Sequence, residues 1–286
     1  MYRPKLLIVA LALLIAGIAF VVHQSTTEPI IRPPAPNATA MRAFLESQYV
    51  PEAGLLRASL SSYPDNETIW IANDNLLAVR ALKLLDSPLW ENVSKSLASY
   101  NVSSNGRIDP LLDKPLDNFF CPEVKTLGSV RSEKFNATFT LKLEAANRSC
   151  VMPDWDSYAD LTVYGALSNL LRGKKREAFR LYSTLLSMWD GNGFRDKAFS
   201  GTYQSYKCAL FVYLHRALGE PLEGNDVYVR CLEILNALQS GSGGIVTGYV
   251  VEGGRITPIG DPNTETTAMT AIGLFSDVEH HAVVGH

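Results

Sequence analysis

Four times along the chain a helical stretch runs into a glycine-containing turn, an extended stretch and a second helical stretch. The turns are FLESQYVPEAGLLRAS from Phe44, SLASYNVSSNGRIDPLL from Ser96, LLSMWDGNGFRDKAF from Leu185 and LNALQSGSGGIVTGYV from Leu235. In each, a glycine (Gly54, Gly106, Gly193, Gly244) stands one or two residues before an apolar side chain. Glycine tolerates the positive φ that ends a helix, and the apolar residue then folds back on the core. A unit that recurs in this way cannot bury its apolar face alone, so the repeats are expected to stack.

The second helices align as well: NDNLLAVRAL from Asn73, YADLTVYGAL from Tyr158, GTYQSYKCAL from Gly201 and NTETTAMTAI from Asn263. Small residues alternate with Leu, Val or Tyr at three- and four-residue intervals, the stripe of a helix packed on most sides. In this register Asn75, Asp160, Tyr203 and Glu265 share one first-turn position. The pattern predicts an all-α fold, an α/α toroid or partial toroid of about four to five helical hairpins, spanning residues 41–276. The segment LQSGSGGI followed by DPNTETTAMTAI resembles the repeat of the terpenoid-cyclase and protein-prenyltransferase toroids, and more distantly the six-hairpin glycosidases. Gln239, Gly244, Glu265 and Ala268 match that cadence, while Ile245 stands where those families have Trp. The resemblance implies the toroid architecture and leaves the activity open.

One stretch, 109–156, is too long for a simple connection. Phe135, Ala137, Phe139, Leu141 and Leu143 alternate there with polar residues, the period of a half-buried strand. A small β-hairpin insertion clipped by a Cys121–Cys150 disulfide is expected. Cys208 and Cys231 fall on consecutive helices and either pair or stay as two buried thiols.

Arg3 and Lys5 precede an unbroken apolar run of 17 residues, Leu6–Val22. Residues 1–22 therefore read as an N-terminal transmembrane helix, with the rest of the chain outside the cell membrane, or as a signal cleaved from a secreted protein. A Pro-rich linker, 23–40, follows, and a His-rich tail, 277–286, ends the chain. Six Asn-X-Ser/Thr sequons, at Asn37, Asn66, Asn92, Asn101, Asn136 and Asn147, fit an exported glycoprotein. The membrane, through the first helix, is one expected partner. A formal charge of -3 gives no electrostatic basis for binding nucleic acid.

Acids at the starts of separate helices can divide acid and base roles, as glycoside hydrolysis requires. Asp160 and Glu265, with Asp74, are the candidate catalytic residues, and Asp74 stands in a polar triplet, Asn73–Asn75, that needs partners or a ligand. Trp70, Asn75, Trp155, Tyr158 and Tyr203 are candidates for binding a carbohydrate. Each acid could equally serve only as a helix cap. No zinc-type ligand spacing, nucleophile elbow or phosphate loop is present, and no metal or cofactor is expected. Two readings stay open: a carbohydrate-active hydrolase or lyase, or a non-catalytic, glycosylated binding or assembly module of the cell envelope.

Overall fold

Small and β-branched side chains set the centre of the fold. The structure, a computed structural model, describes residues 34–61, 65–222 and 225–278. All belong to the second of the chain's two units, Pro34–His286; the first, Met1–Pro33, lies outside the described residues. In chain order the elements are α1 (Ala38–Ser47), β1 (Tyr49–Val50), β2 (Leu55–Leu56), β3 (Thr68–Trp70), α2 (Asp74–Leu84), α3 (Leu89–Ser99), β4 (Phe120–Ser132) and β5 (Ala137–Val151). Then come α4 (Ala159–Leu171), α5 (Lys175–Ser187), β6 (Tyr203–Gln204), α6 (Ser205–Leu218), α7 (Asp226–Ala237), β7 (Val246–Glu252), β8 (Arg255–Pro262) and α8 (Thr264–Phe275).

Helix α8 packs against α2 and α6, and α6 packs against α4, so these four form a central row; α3, α5 and α7 each cover one member from outside. The outer helices are one-sided. Helix α5 buries Ala178, Leu181, Tyr182 and Leu185, one stripe of a 3.6-residue period. The central ones are buried nearly all round, and α8 manages this with Thr264, Thr266, Thr267 and Thr270, none of them exposed. Their hydroxyls are satisfied locally: Thr264 donates to the Arg57 carbonyl, Thr267 to Asn263 and Thr270 to Thr266. Asn263 caps the helix by accepting from the Thr266 N–H at 2.8 Å.

The expected all-α toroid, and with it the resemblance to the cyclase and glycosidase toroids, does not hold. Eight α-helices share the described residues with three β-sheets, ordered β1-β2, β3-β5-β4 and β6-β7-β8, so the fold is mixed α and β. Connecting stretches that a helical repeat treats as turns are strands in their own right. Val246–Glu252 and Arg255–Pro262 are rich in β-branched residues and flank Gly253-Gly254, both at positive φ (57° and 81°), which makes them a hairpin. The insertion is larger than the small hairpin expected: β4 and β5 run for 13 and 15 residues, and β5 pairs in parallel with β3.

Two disulfides are present, Cys121–Cys150 across the β4–β5 arm and Cys208–Cys231 between α6 and α7. Among the described residues no helix is long and apolar enough to cross a membrane; the expected membrane segment 1–22 lies outside them, as do residues 23–33 of the linker and 279–286 of the tail. Helix α1 begins at Ala38, within the segment assigned to the linker, with Asn37 as its cap. Asn37, Asn92, Asn101 and Asn136 are exposed, and Asn66 and Asn147 are half-buried.

At Gly273 α8 lies close against α6: a Cβ there would stand 2.5 Å from the Ala209 carbonyl oxygen. Backbone cannot rotate away as a side chain can. Gly273→Ala is expected to destabilise the fold by about 1–3 kcal/mol in urea unfolding, the range for overpacking. A variant as stable as the parent would show that the two helices are not in this close contact.

Candidate functional site

The first turns of the central helices share one cavity of about 390 Å³. Asp74 opens α2, Asp160 and Glu265 stand second in α4 and α8, and Tyr206 stands second in α6; all four line it. Acids suit this position because a helix start presents unpaired N–H groups and a positive dipole end. Trp70, at the end of β3, and Glu144, on β5, close the cavity from the sheet side. The sheet register places Trp70 opposite Lys142, whose ammonium lies 5.0 Å from the Trp70 ring centre.

The carboxyls are held by side chains. Asn73 donates its amide to Glu265 at 2.6 Å, and Arg107 donates to Asp160 at 3.3 Å. Asp65 accepts from the Trp70 indole N–H at 3.3 Å. Burial pushes the Asp74 carboxyl well above its ordinary range, and the charges of Glu265, Asp65 and Glu144 push in the same direction. Burial also raises Glu265; the Asn73 hydrogen bond opposes this and Glu144 reinforces it. Burial works against the Arg107 charge, but Asp160 and its other anionic neighbours outweigh it and the guanidinium is raised. The phenols of Tyr164 and Tyr206 are driven up by burial and then by Asp160 and Glu265. Among the described residues no three His, Cys, Asp or Glu side chains are grouped to hold a metal ion.

Of the residues singled out in the sequence, Asp74, Asp160, Glu265 and Trp70 meet in this cavity. Asn75 does not line it: its amide is spent on the Leu56 N–H and carbonyl and on the Trp70 carbonyl, tying β2 and β3 to α2. Trp155 stacks on Phe119 and presses on Gly165. Tyr158 lies under the Lys197 ammonium, and Tyr203 donates to Asp190 at 2.6 Å from β6. Sequence reasoning did not find Arg107, Glu144, Asp65, Tyr164 or Tyr206, none of which stands at the aligned first-turn position.

No family model matches the chain, and neither a curated protein nor a solved structure matches it.

A carboxyl whose folded pKa is raised stabilises the fold fully below its unfolded pKa, ordinarily 3.8 for Asp74, and loses that contribution as pH rises through the folded value. Asp74→Asn removes the titration and the buried charge. The variant is therefore expected to gain stability relative to the parent between pH 4 and pH 8, reaching about 1–3 kcal/mol, the scale of a buried unsatisfied group. Chemical denaturation across that range checks it, and a difference that does not change with pH would contradict the assigned burial of charge.

Proposed function

We propose that the chain is a carbohydrate-active hydrolase or lyase that works outside the cell, tethered through residues 6–22 or released by cleavage. One observation carries this reading: Asp74, Asp160 and Glu265, remote in numbering, converge from three helix starts with Trp70 on one cavity. Pockets of this size take small polar ligands, and an indole face suits the apolar side of a sugar ring.

Asp74 and Glu265 are coupled like charges, so ionising one resists ionising the other. The more buried member, Asp74, keeps its proton and is the general acid. In hydrolysis it passes that proton to the glycosidic oxygen as the bond from that oxygen to the anomeric carbon breaks. Glu265, oriented by Asn73, takes a proton from the water whose oxygen adds to the same carbon. Asp160 and Arg107, as an ion pair, fix sugar hydroxyls with an acceptor and a donor side by side.

A non-catalytic module would use these acids only as helix caps. Glu265 and Asp160 instead bond to Asn73 and Arg107 side chains from other elements, which favours the enzymatic reading. Export is supported by the sequons and by two disulfides, which persist in oxidising compartments.

Screening the full chain against a broad glycan panel for released reducing or unsaturated ends tests the reading. Glu265→Gln and Asp74→Asn should each lower turnover by about 100- to 10,000-fold, the usual weight of a general acid or base. Parental turnover in both variants, or no turnover of any glycan, would remove the proposal.

A further inference from the structure

The charge of the cavity narrows the class of sugar it takes, an assignment that rests on the carbohydrate reading. Five carboxyls, those of Asp65, Asp74, Glu144, Asp160 and Glu265, line it against the single guanidinium of Arg107. Arg107 is already engaged by Asp160 at 3.3 Å, and none of the other four acids forms an ion pair with a described residue. Asp74 keeps its proton; the other three, Asp65, Glu144 and Glu265, have no ion-pair partner among the described residues, although the Lys142 ammonium lies over the Trp70 ring, and together they concentrate negative potential in this concave, low-dielectric space.

Two further groups point to a ligand. Tyr164 lines the cavity at 2% exposure, and its hydroxyl makes no hydrogen bond with any described residue. Asp74, at 3% exposure, accepts none from any other described residue. The Tyr164 hydroxyl thus opens on the cavity with no hydrogen-bond partner among the described residues and can take one from a ligand, while Asp74 has only its own backbone N–H among them.

We propose that the cavity binds a sugar ring bearing a free amino group, a non-acetylated amino sugar, whose ammonium is held by the unpaired carboxyls around Glu144 and Glu265. An ammonium brings three donors and no acceptor, the complement of a carboxylate cluster. A uronate or sulfated sugar would bring like charge against the same cluster, and N-acetylation would remove the cation. Trp70 takes the apolar face of the ring and the Tyr164 hydroxyl completes a ring hydroxyl. The same negative field that would hold the ammonium opposes ionisation of the Tyr164 and Tyr206 phenols.

The test is binding, not turnover. The full chain is titrated with glucosamine, glucose and glucuronic acid and with short oligomers of each, in which a comparable ring carries an ammonium, only hydroxyls, or a carboxylate. Dissociation constants are read by calorimetry or ligand-observed magnetic resonance at low and high salt. The glucosamine series is expected to bind about tenfold or more tightly than the glucose series and the glucuronate series most weakly, with the preference shrinking as salt is added. Glu144→Gln should reduce the preference by about tenfold, and Asp65→Asn, on a different element, should reduce it in the same direction. Equal binding of glucosamine and glucose, or a preference that neither variant alters, overturns the amino-sugar assignment while leaving a carbohydrate site in place. Failure of every sugar to bind removes both.

Discussion

The burial of helix α8 on nearly all sides is the constraint that shapes the site. A helix can be enclosed only if its neighbours approach closely, which needs small side chains at the contacts. Ala268, Ala271, Gly273 and the four buried threonines supply them. The cost is polar: four hydroxyls enter the core and must be satisfied, as they are by backbone carbonyls and by Thr247 facing Thr266 at 2.6 Å. Because α8 sits between α2 and α6, its first turn meets theirs, and Glu265 comes within hydrogen-bond distance of Asn73, a residue 192 positions away.

Enclosing those first turns sets two demands against each other. The unpaired N–H groups and dipoles of helix starts favour negative charge, while removal of water opposes it. At the start of α4 the buried side chain of Asp196 accepts from the Ala159 N–H at 2.8 Å and pairs with Lys207 at 2.8 Å, so that charge is compensated. At the start of α2 no described residue forms an ion pair with Asp74, and burial with the charges of Glu265, Asp65 and Glu144 drives its carboxyl toward the neutral form against its own backbone N–H. The two acids share a kind of position but not an environment. Among the described residues Asp196 has a cation and a backbone N–H to hold it where water is excluded, and Asp74, beside the cavity, has its own N–H alone.

The helices of the central row are legible because their small-residue stripe repeats, and three of the four first-turn side chains that line the cavity, Asp74, Asp160 and Glu265, are readable from where helices begin. What escaped was register and the strands. Aligning the repeats put Tyr203 level with Asp160 and Glu265, but α6 starts at Ser205, so Tyr206 holds that position and Tyr203 falls in β6. In α2 the cavity receives Asp74 and the aligned Asn75 is turned to the backbone of β2 and β3. A slip of one residue on a helix moves a side chain by about 100°, and similarity of local sequence does not resolve it. The four turn glycines look like one device in the sequence, yet only Gly54 and Gly106 take positive φ (66° and 76°); a Cβ on Gly193 or Gly244 would instead strike the rings of Tyr203 and Phe44. Gly-Gly at 253–254 between β-branched runs was a hairpin signal, and the helical repeat absorbed it.

Glu144 and Trp70 show why the sheet matters to the site. Strand β5 is long enough to be clipped to β4 by Cys121–Cys150 near one end and paired with β3 further along, so its backbone is fixed on both edges. Side chains two apart on a strand share a face. Lys142 therefore stands over Trp70 on the face from which Glu144, two residues on, reaches the cavity. The wall facing the helix starts is thus a paired sheet that carries an aromatic ring, the Lys142 ammonium over it and an acid. Rigidity on that side matters for selectivity: an acid on a mobile loop could swing into water and lose its influence on a bound charge, whereas one fixed in a paired strand keeps its place whether or not a ligand is there.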